Sequence, residues 1–392
     1  VPPVTFADLA LIVACGLAGP LLAGLPRFAP PVVVGEIAAG VVLGRTGWGV
    51  IDPAKPTLAF LAEVGFALLM FSVGTALPLR DPGLRSSLGK GVQVLVISAA
   101  LAVGVGFVLA QVTNLHRPLI VAILTVTSSA ALVMPALEET GLTRVKIGMV
   151  TAAWVTLADI GSVVALPFAV VHGSARNVIL GGLAVLAATI AIWAILRTAR
   201  RQDRYRHYRR LSRKRGWGLD LRISLLALFV LSWLALRIGT SILVAGFCAG
   251  AVVALVGEPK RLAWEILGIA QGFFVPLFFV VLGAQISLRA LVTSPGDLLL
   301  AVALSIAIVA VHVAAGLIAR LPLGSGLVAT AQMGVPAALV AVGLTTRLLS
   351  PGQAAAVLAA TLVSVGVMAV GARRLAAAVP PSEVPDTTAT PA

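Results

Sequence analysis

The sequence predicts an all-α polytopic membrane protein of about thirteen transmembrane helices, arranged as two inverted repeats that each contain an interrupted, crossing helix. Three observations predict it. First, the 392-residue chain is 59% hydrophobic and only 11% charged, with a mean hydropathy of +1.05, whereas a soluble domain carries about a quarter charged residues. Second, apolar runs of roughly 20 residues, long enough to cross a bilayer, follow one another along almost the whole chain. Third, segments of the first half recur in order in the second. Cys15 and Cys248 sit inside apolar runs, so neither a disulfide framework nor a metal cluster is expected. No HExxH, no nucleophile–base pair and no Gly-rich phosphate loop is present, so enzymatic chemistry and cofactors are not expected.

Taken in order, the spans lie near 5–25, 31–44, 56–77, 88–110, 118–137, 143–171, 177–196, 221–238, 241–256, 264–287, 297–319, 323–347 and 352–375, the second and ninth being short. The first can insert as a helix, so no cleavable signal is required. Loops between spans alternate in side. One side collects Arg27, Arg80, Arg85, Lys90, Arg144, Lys146, the stretch 197–222, Lys260, Arg261, Arg320, Arg373 and Arg374, the great majority of the 29 Lys/Arg. The positive-inside rule puts that side in the cytoplasm, with the N-terminus outside and the C-terminus inside, in the cell (inner) membrane. The net charge of +14 is then mostly a topology signal. "RTARRQDRYRHYRRLSRKRGWGLDLR" (197–222) reads as a basic cytoplasmic loop touching anionic lipid head groups rather than nucleic acid.

The repeat rests on three segment pairs. "LLMFSVGTALPLR" (68–80) matches "LFFVVLGAQISLR" (277–289), with Leu68, Gly74, Leu79 and Arg80 on Leu277, Gly283, Leu288 and Arg289. "AAGVV" (38–42) matches "CAGAV" (248–252), and the AALV of 130–133 matches that of 337–340. All three recur at nearly one spacing. The third span ends inside and the tenth outside, so the repeats are inverted, an architecture of secondary transporters that bind near the midplane where helices are interrupted. The AALV pair marks the interrupted helices. "TVTSSAALVMP" carries Thr125, Thr127, Ser128, Ser129 and Pro135, and "AQMGVPAALV" carries Gln332, Gly334 and Pro336. Backbone freed by such breaks survives only inside protein or beside water, where its oxygens can meet a cation.

"GMVTAAWVTLADIGSVVALPFAVV" (148–171) places Asp159 mid-span. A carboxylate at the bilayer centre costs on the order of 3 kcal/mol on insertion scales, which makes it a functional candidate. Glu36 and Glu63 lie closer to span ends. A buried carboxylate beside hydroxyls and free carbonyls offers hard oxygen ligands to a small cation, and the same group can take a proton. Thr156 lies three residues earlier on the same helical face. The candidate ion and proton ligands are therefore Asp159, Thr127, Ser128, Ser129 and Thr156.

"VVVGEIAAGVVLG", "LAEVGFALLMFSVG", "TVTSSAALVMPALEETG", "VTLADIGSVVAL" and "VPLFFVVLG" resemble the cation–proton antiporter superfamily, nearest its Kef-type potassium efflux and NapA-type sodium–proton branches. The resemblance covers almost the whole chain. It implies a monovalent cation (Na+ or K+):proton antiporter, a homodimer working by an elevator-like shift. It implies a dimerisation domain in two parts (1–87 and 220–290) and a moving core in two parts (88–172 and 291–375). A linker helix (173–200), the basic loop (201–219) and a disordered tail (376–392) complete the division. Relatives often carry a buried Lys in the eleventh span; here His312 stands about there, a further candidate ion- and proton-binding residue that is either a cation paired with Asp159 or a neutral histidine bonded to a core hydroxyl such as Ser305. Three departures stand out. Ala158 precedes Asp159 where the family commonly has a polar or acidic residue. Gln332-Met333-Gly334-Val335 replaces an Arg-Gly-Glu. A Kef-type nucleotide-binding domain is not expected after Leu375. Two alternatives remain: a sodium-coupled organic solute symporter of bile-acid type, and a non-transporting membrane sensor of the same fold.

Overall fold

The computed structural model describes residues 4–24, 32–75, 82–170, 175–199, 201–238, 242–256 and 268–379. Among them there is no strand. Among the described residues eleven helical segments, some of them two consecutive helices, are long and apolar enough to cross a membrane, and two shorter apolar helices, Val32–Leu43 and Ile242–Leu255, fall on the two short spans. The helices are α1 Phe6–Gly16, α2 Ala18–Ala23, α3 Val32–Leu43, α4 Pro56–Thr75, α5 Pro82–Val112, α6 Pro118–Val126, α7 Ala130–Glu139, α8 Lys146–Val170 and α9 Ala175–Ala199. They continue as α10 Asp203–Arg215, α11 Leu219–Arg237, α12 Ile242–Val256, α13 Val275–Gln285, α14 Leu288–Thr293, α15 Pro295–Ile318, α16 Leu323–Ala329, α17 Gly334–Thr345 and α18 Pro351–Ala377.

Local chemistry sets many of these starts. Proline opens α4, α5, α6, α15 and α18, where its fixed φ suits the first turn and its missing N–H has no intrahelical partner to lose. Ser294 caps α15 by accepting from the Asp297 N–H, and Ser350 forms a capping box with Gln353 at α18.

The chain divides into two compact units. The first comprises residues 1–17, 53–77 and 171–281. Within it α4 and α12 pack backbone to backbone, because a side chain at Gly74 or Gly250 would strike the Phe247 or Phe71 carbonyl of the other helix. A π-helical turn over Ala270–Phe274 precedes α13. The basic stretch expected as a loop is largely helical. Its α10 turns into α11 through Gly216 and Gly218, both at left-handed φ (68° and 62°). Arg209 Nε clamps both Asp220 oxygens at 3.1 and 2.9 Å.

The second unit comprises residues 18–52, 78–170 and 282–392 and holds α5 to α8 and α14 to α18. Its core gathers Val133, Leu137, Ala153, Trp154, Val155, Ala315, Val328 and Ala329. Gly326 lets α16 lie on the α15 backbone at His312 and Val313. Residues 376–379, expected in the tail, finish α18 and its cap; the rest of the expected tail, 380–392, lies outside the described residues.

Candidate functional site

Two membrane-length helices of the second unit are each cut in two. In the first, α6 ends at Val126, Thr127 (φ −63°, ψ 149°) and Ser129 (φ −130°, ψ 106°) are extended, and α7 begins at Ala130. In the second, α16 ends at Ala329 and α17 begins at Gly334 after Met333 (φ −154°, ψ −65°). The first break falls on the hydroxyl run Thr127–Ser129, not on Pro135, which lies inside α7 on an exposed face. Short hydroxylated side chains offer the backbone local alternatives to the helical bond, and three in a row tip the balance. Pro336 sits in the first turn of α17, a place where its missing N–H removes no helical bond.

Each break caps the other. A helix ends with carbonyls that have no intrahelical donor. Ser128 Oγ donates to the Ala329 carbonyl at 2.8 Å. In return the Gln332 amino group donates to the Leu124 and Thr127 carbonyls at 2.7 and 3.0 Å. Thr330 Oγ1 donates to the Leu327 carbonyl of its own helix at 2.7 Å and to the Ser364 carbonyl of α18 at 3.0 Å. The ends of α6 and α16 are thus stitched together by two side chains running in opposite directions.

Asp159 stands mid-helix in α8 and is 4% exposed. Its Oδ2 accepts the Ala130 N–H, the first of α7, at 2.9 Å. A helix N-terminus carries free N–H groups and a partial positive charge, so it favours a negative group there. Around this carboxylate and the crossed breaks several buried acceptors have no partner among the described residues: Thr127 Oγ1, Thr156 Oγ1 and Gln332 Oε1. Ser129 is buried at the N-cap of α7, yet its side chain makes no capping bond.

His312 is fully buried in α15. Its Nδ1 bonds the Ile308 carbonyl at 2.9 Å, one turn back on its own helix. Ser305, the expected partner, instead donates to the Ala301 carbonyl. The imidazole lies 5.6 Å from the Trp154 ring, tilted by 33°, and beside the Val126 carbonyl at the end of α6. Its Nε2 makes no hydrogen bond among the described residues, nor does Trp154 Nε1. No hydrogen bond joins His312 to Asp159 among the described residues.

The structure therefore gathers Asp159, Thr127, Ser128, Ser129 and Gln332 at one crossing. Thr156 lies one turn from Asp159 on α8, and His312 lies against the end of α6. Sequence reasoning took Gln332 only for a helix breaker and passed over Trp154. A buried amide in an apolar run must find partners, and that was the available signal for Gln332. Asp159 is also not the only buried carboxylate. Glu36 of α3 is buried, with Oε2 unpartnered, and Asp297 at the start of α15 is buried and held by Asn114 Nδ2 at 2.7 Å. Glu63 is exposed on α4.

Paired half-helices that meet end to end in a multi-pass helical chain recur among secondary transporters. The sodium/hydrogen exchanger transmembrane family matches residues 10–377, and the chain belongs to that family. YjbQ of Bacillus subtilis, named as a candidate Na(+)/H(+) antiporter, is 24% identical over 298 residues, 72% of this chain and 48% of that protein. The glutathione-regulated potassium-efflux system protein KefC of Klebsiella pneumoniae is 28% identical over 270 residues, 67% of this chain and 42% of that one. The Na(+)/H(+) antiporter NhaS4 of Synechocystis is 26% identical over 302 residues, 71% of this chain and 73% of that protein. The chain thus spans about half the length of YjbQ and KefC. In fold it is similar to the sodium proton antiporter MjNhaP1 of Methanocaldococcus jannaschii, with a TM-score of 0.64 at 17% identity over 95% of this chain and 98% of that one.

Proposed function

We propose that this chain is a secondary active transporter rather than an enzyme, exchanging a monovalent cation, Na+ or K+, for protons by alternating access, with Asp159 as the shared site. The observation that carries the reading is the carboxylate itself. It is buried in the middle of a membrane helix, paired with one backbone N–H and, among the described residues, with no counter-charge, beside two broken helices where Thr127 Oγ1 and Gln332 Oε1 have no partner.

Such a carboxylate is neutralised either by a proton or by a desolvated cation. The cation needs hard oxygen ligands, and Thr127, Thr156, Ser128 and Ser129 stand ready to supply them through side-chain or backbone atoms. Proton and cation compete for one group. If only the two loaded forms cross, one moves against the other. The relatives named for Na(+)/H(+) and potassium transport support this substrate class. In this reading 88–172 and 291–375 move against a dimerising frame built from 1–87 and 220–290. The N-terminus faces out, the C-terminus faces the cytoplasm of the inner membrane, and α10 contacts anionic lipid.

Asp159→Asn tests the centre of the reading. The amide keeps the shape and accepts the Ala130 N–H, but holds neither a proton nor a full charge. Reconstituted in proteoliposomes, wild-type protein should show proton flux driven by one of the alkali cations added in turn, and the variant none at equal folded amount. Full flux in the variant would refute the assignment.

A further inference from the structure

We propose that Gln332 is itself a ligand of the transported cation, and not only the staple between the two breaks. The proposal rests on the exchange reading above and deepens it by naming an oxygen donor from the second break.

The orientation of the Gln332 amide is settled by its partners. The Leu124 and Thr127 carbonyls can only accept, so the atom that meets them at 2.7 and 3.0 Å is the amino nitrogen. Both of its N–H groups are then used, and Oε1 is left as a free acceptor. The residue is 1% exposed, and Oε1 has no partner among the described residues. Leaving a buried acceptor unsatisfied costs about 1–3 kcal/mol. The N–H groups of the adjoining break do not relieve it: that of Thr127 goes to the Ile123 carbonyl and that of Ala130 to Asp159.

The same three-residue break therefore has Gln332 attached at one end and Asp159 at the other. Thr127 Oγ1, at the Gln332 end, is also buried without a partner. Ala158, next to Asp159, carries no side-chain oxygen, so ligands must come from other elements. A neutral amide oxygen, a hydroxyl and one carboxylate balance a single positive charge. That composition suits a monovalent ion held by hard oxygens and leaves a divalent ion half neutralised.

Two nearly isosteric variants separate a ligand from a staple. Both lose the amino donor; Gln332→Met also loses the oxygen, and Gln332→Glu keeps it and adds charge. In proteoliposomes, Gln332→Met should raise the apparent KM for the cation about tenfold or more, the size of one lost polar contact, with kcat changed far less. Gln332→Glu should leave that KM no higher than wild type. An unchanged KM in the Met variant overturns the proposal, and so does an equal rise in both, which marks a staple alone. If the Met variant does not fold, a raised KM in the Glu variant overturns it and an unraised one supports it. Absence of cation-dependent flux in the wild type is a failure of the exchange reading. The ligand claim is then read from thermal shifts with sodium or potassium chloride against choline chloride. A shift present in wild type and lost in Gln332→Met, or retained in Gln332→Glu should the Met variant not fold, supports the claim; no shift in wild type, or the opposite result in the folded variant, overturns it.

Discussion

At the scale of single residues, the hydroxyls of the first break divide by what they already hold. Ser128 Oγ is bound to the Ala329 carbonyl, whereas Thr127 Oγ1 is bound to nothing described. Ser128→Ala strips a buried carbonyl of its donor and should lower stability by about 2 kcal/mol, read as a lower unfolding midpoint in detergent. Thr127→Val keeps the shape and breaks no hydrogen bond. It should leave the midpoint nearly unchanged and weaken apparent cation affinity several-fold. If the two variants behave alike, the division is wrong. Asp159 was legible in the sequence as a candidate, and its burial too, because a carboxylate in the middle of an apolar span is costly. The separation of Ser128 from Thr127 was not, because it depends on where Ala329 lies, some two hundred residues away in the chain.

Elements show where pattern reading succeeds and where it slips. The two interrupted helices were legible because AALV recurs in both halves, each time just after residues that do not suit a helix interior: Thr127, Ser128 and Ser129 in the first, Gly334 and Pro336 in the second. The first cut was legible only to within a few residues: Pro135 is the stronger single breaker, yet a helix tolerates it on an exposed face and yields at the hydroxyl run. The helical form of α10 was hidden by its charge, since a run of Arg reads as solvated chain until Asp220 and two left-handed glycines fix its end. A polar knot ties three other helix ends together. Asn114, just past α5, donates to Asp297 of α15, and Gln353 of α18 donates to the Asn114 carbonyl at 2.8 Å. Gly352 of α18 lies so close that a Cβ there would overlap Asp297 Oδ2. Gly352→Ala must therefore push Asp297 or tilt α18, at about 1–3 kcal/mol as for other overpacked sites. A lowered unfolding midpoint is the expected result, and an unchanged one would mean that the three ends are not locked together.

For the whole molecule, the open quantity is the charge moved per cycle, and it turns on His312. Sequence position alone left two possibilities, a cationic partner of Asp159 or a neutral core histidine. Its environment favours the second. Nδ1 is spent on the Ile308 carbonyl, the ring lies against Trp154, and among the described residues no hydrogen bond joins the imidazole to Asp159. A neutral imidazole is also far cheaper to bury than a charge without a carboxylate beside it. Under the proposed exchange, Asp159 then trades one proton for one monovalent cation, and the cycle is expected to move no net charge. With membrane potential clamped in proteoliposomes and a fixed cation gradient, the pH gradient at equilibrium should be independent of voltage, because no term in voltage enters the balance. A gradient that shifts with voltage refutes one-for-one exchange. If that shift disappears in His312→Ala while cation-dependent flux persists, the second proton is carried by His312, and its Nε2, which makes no hydrogen bond among the described residues, is the atom that takes it.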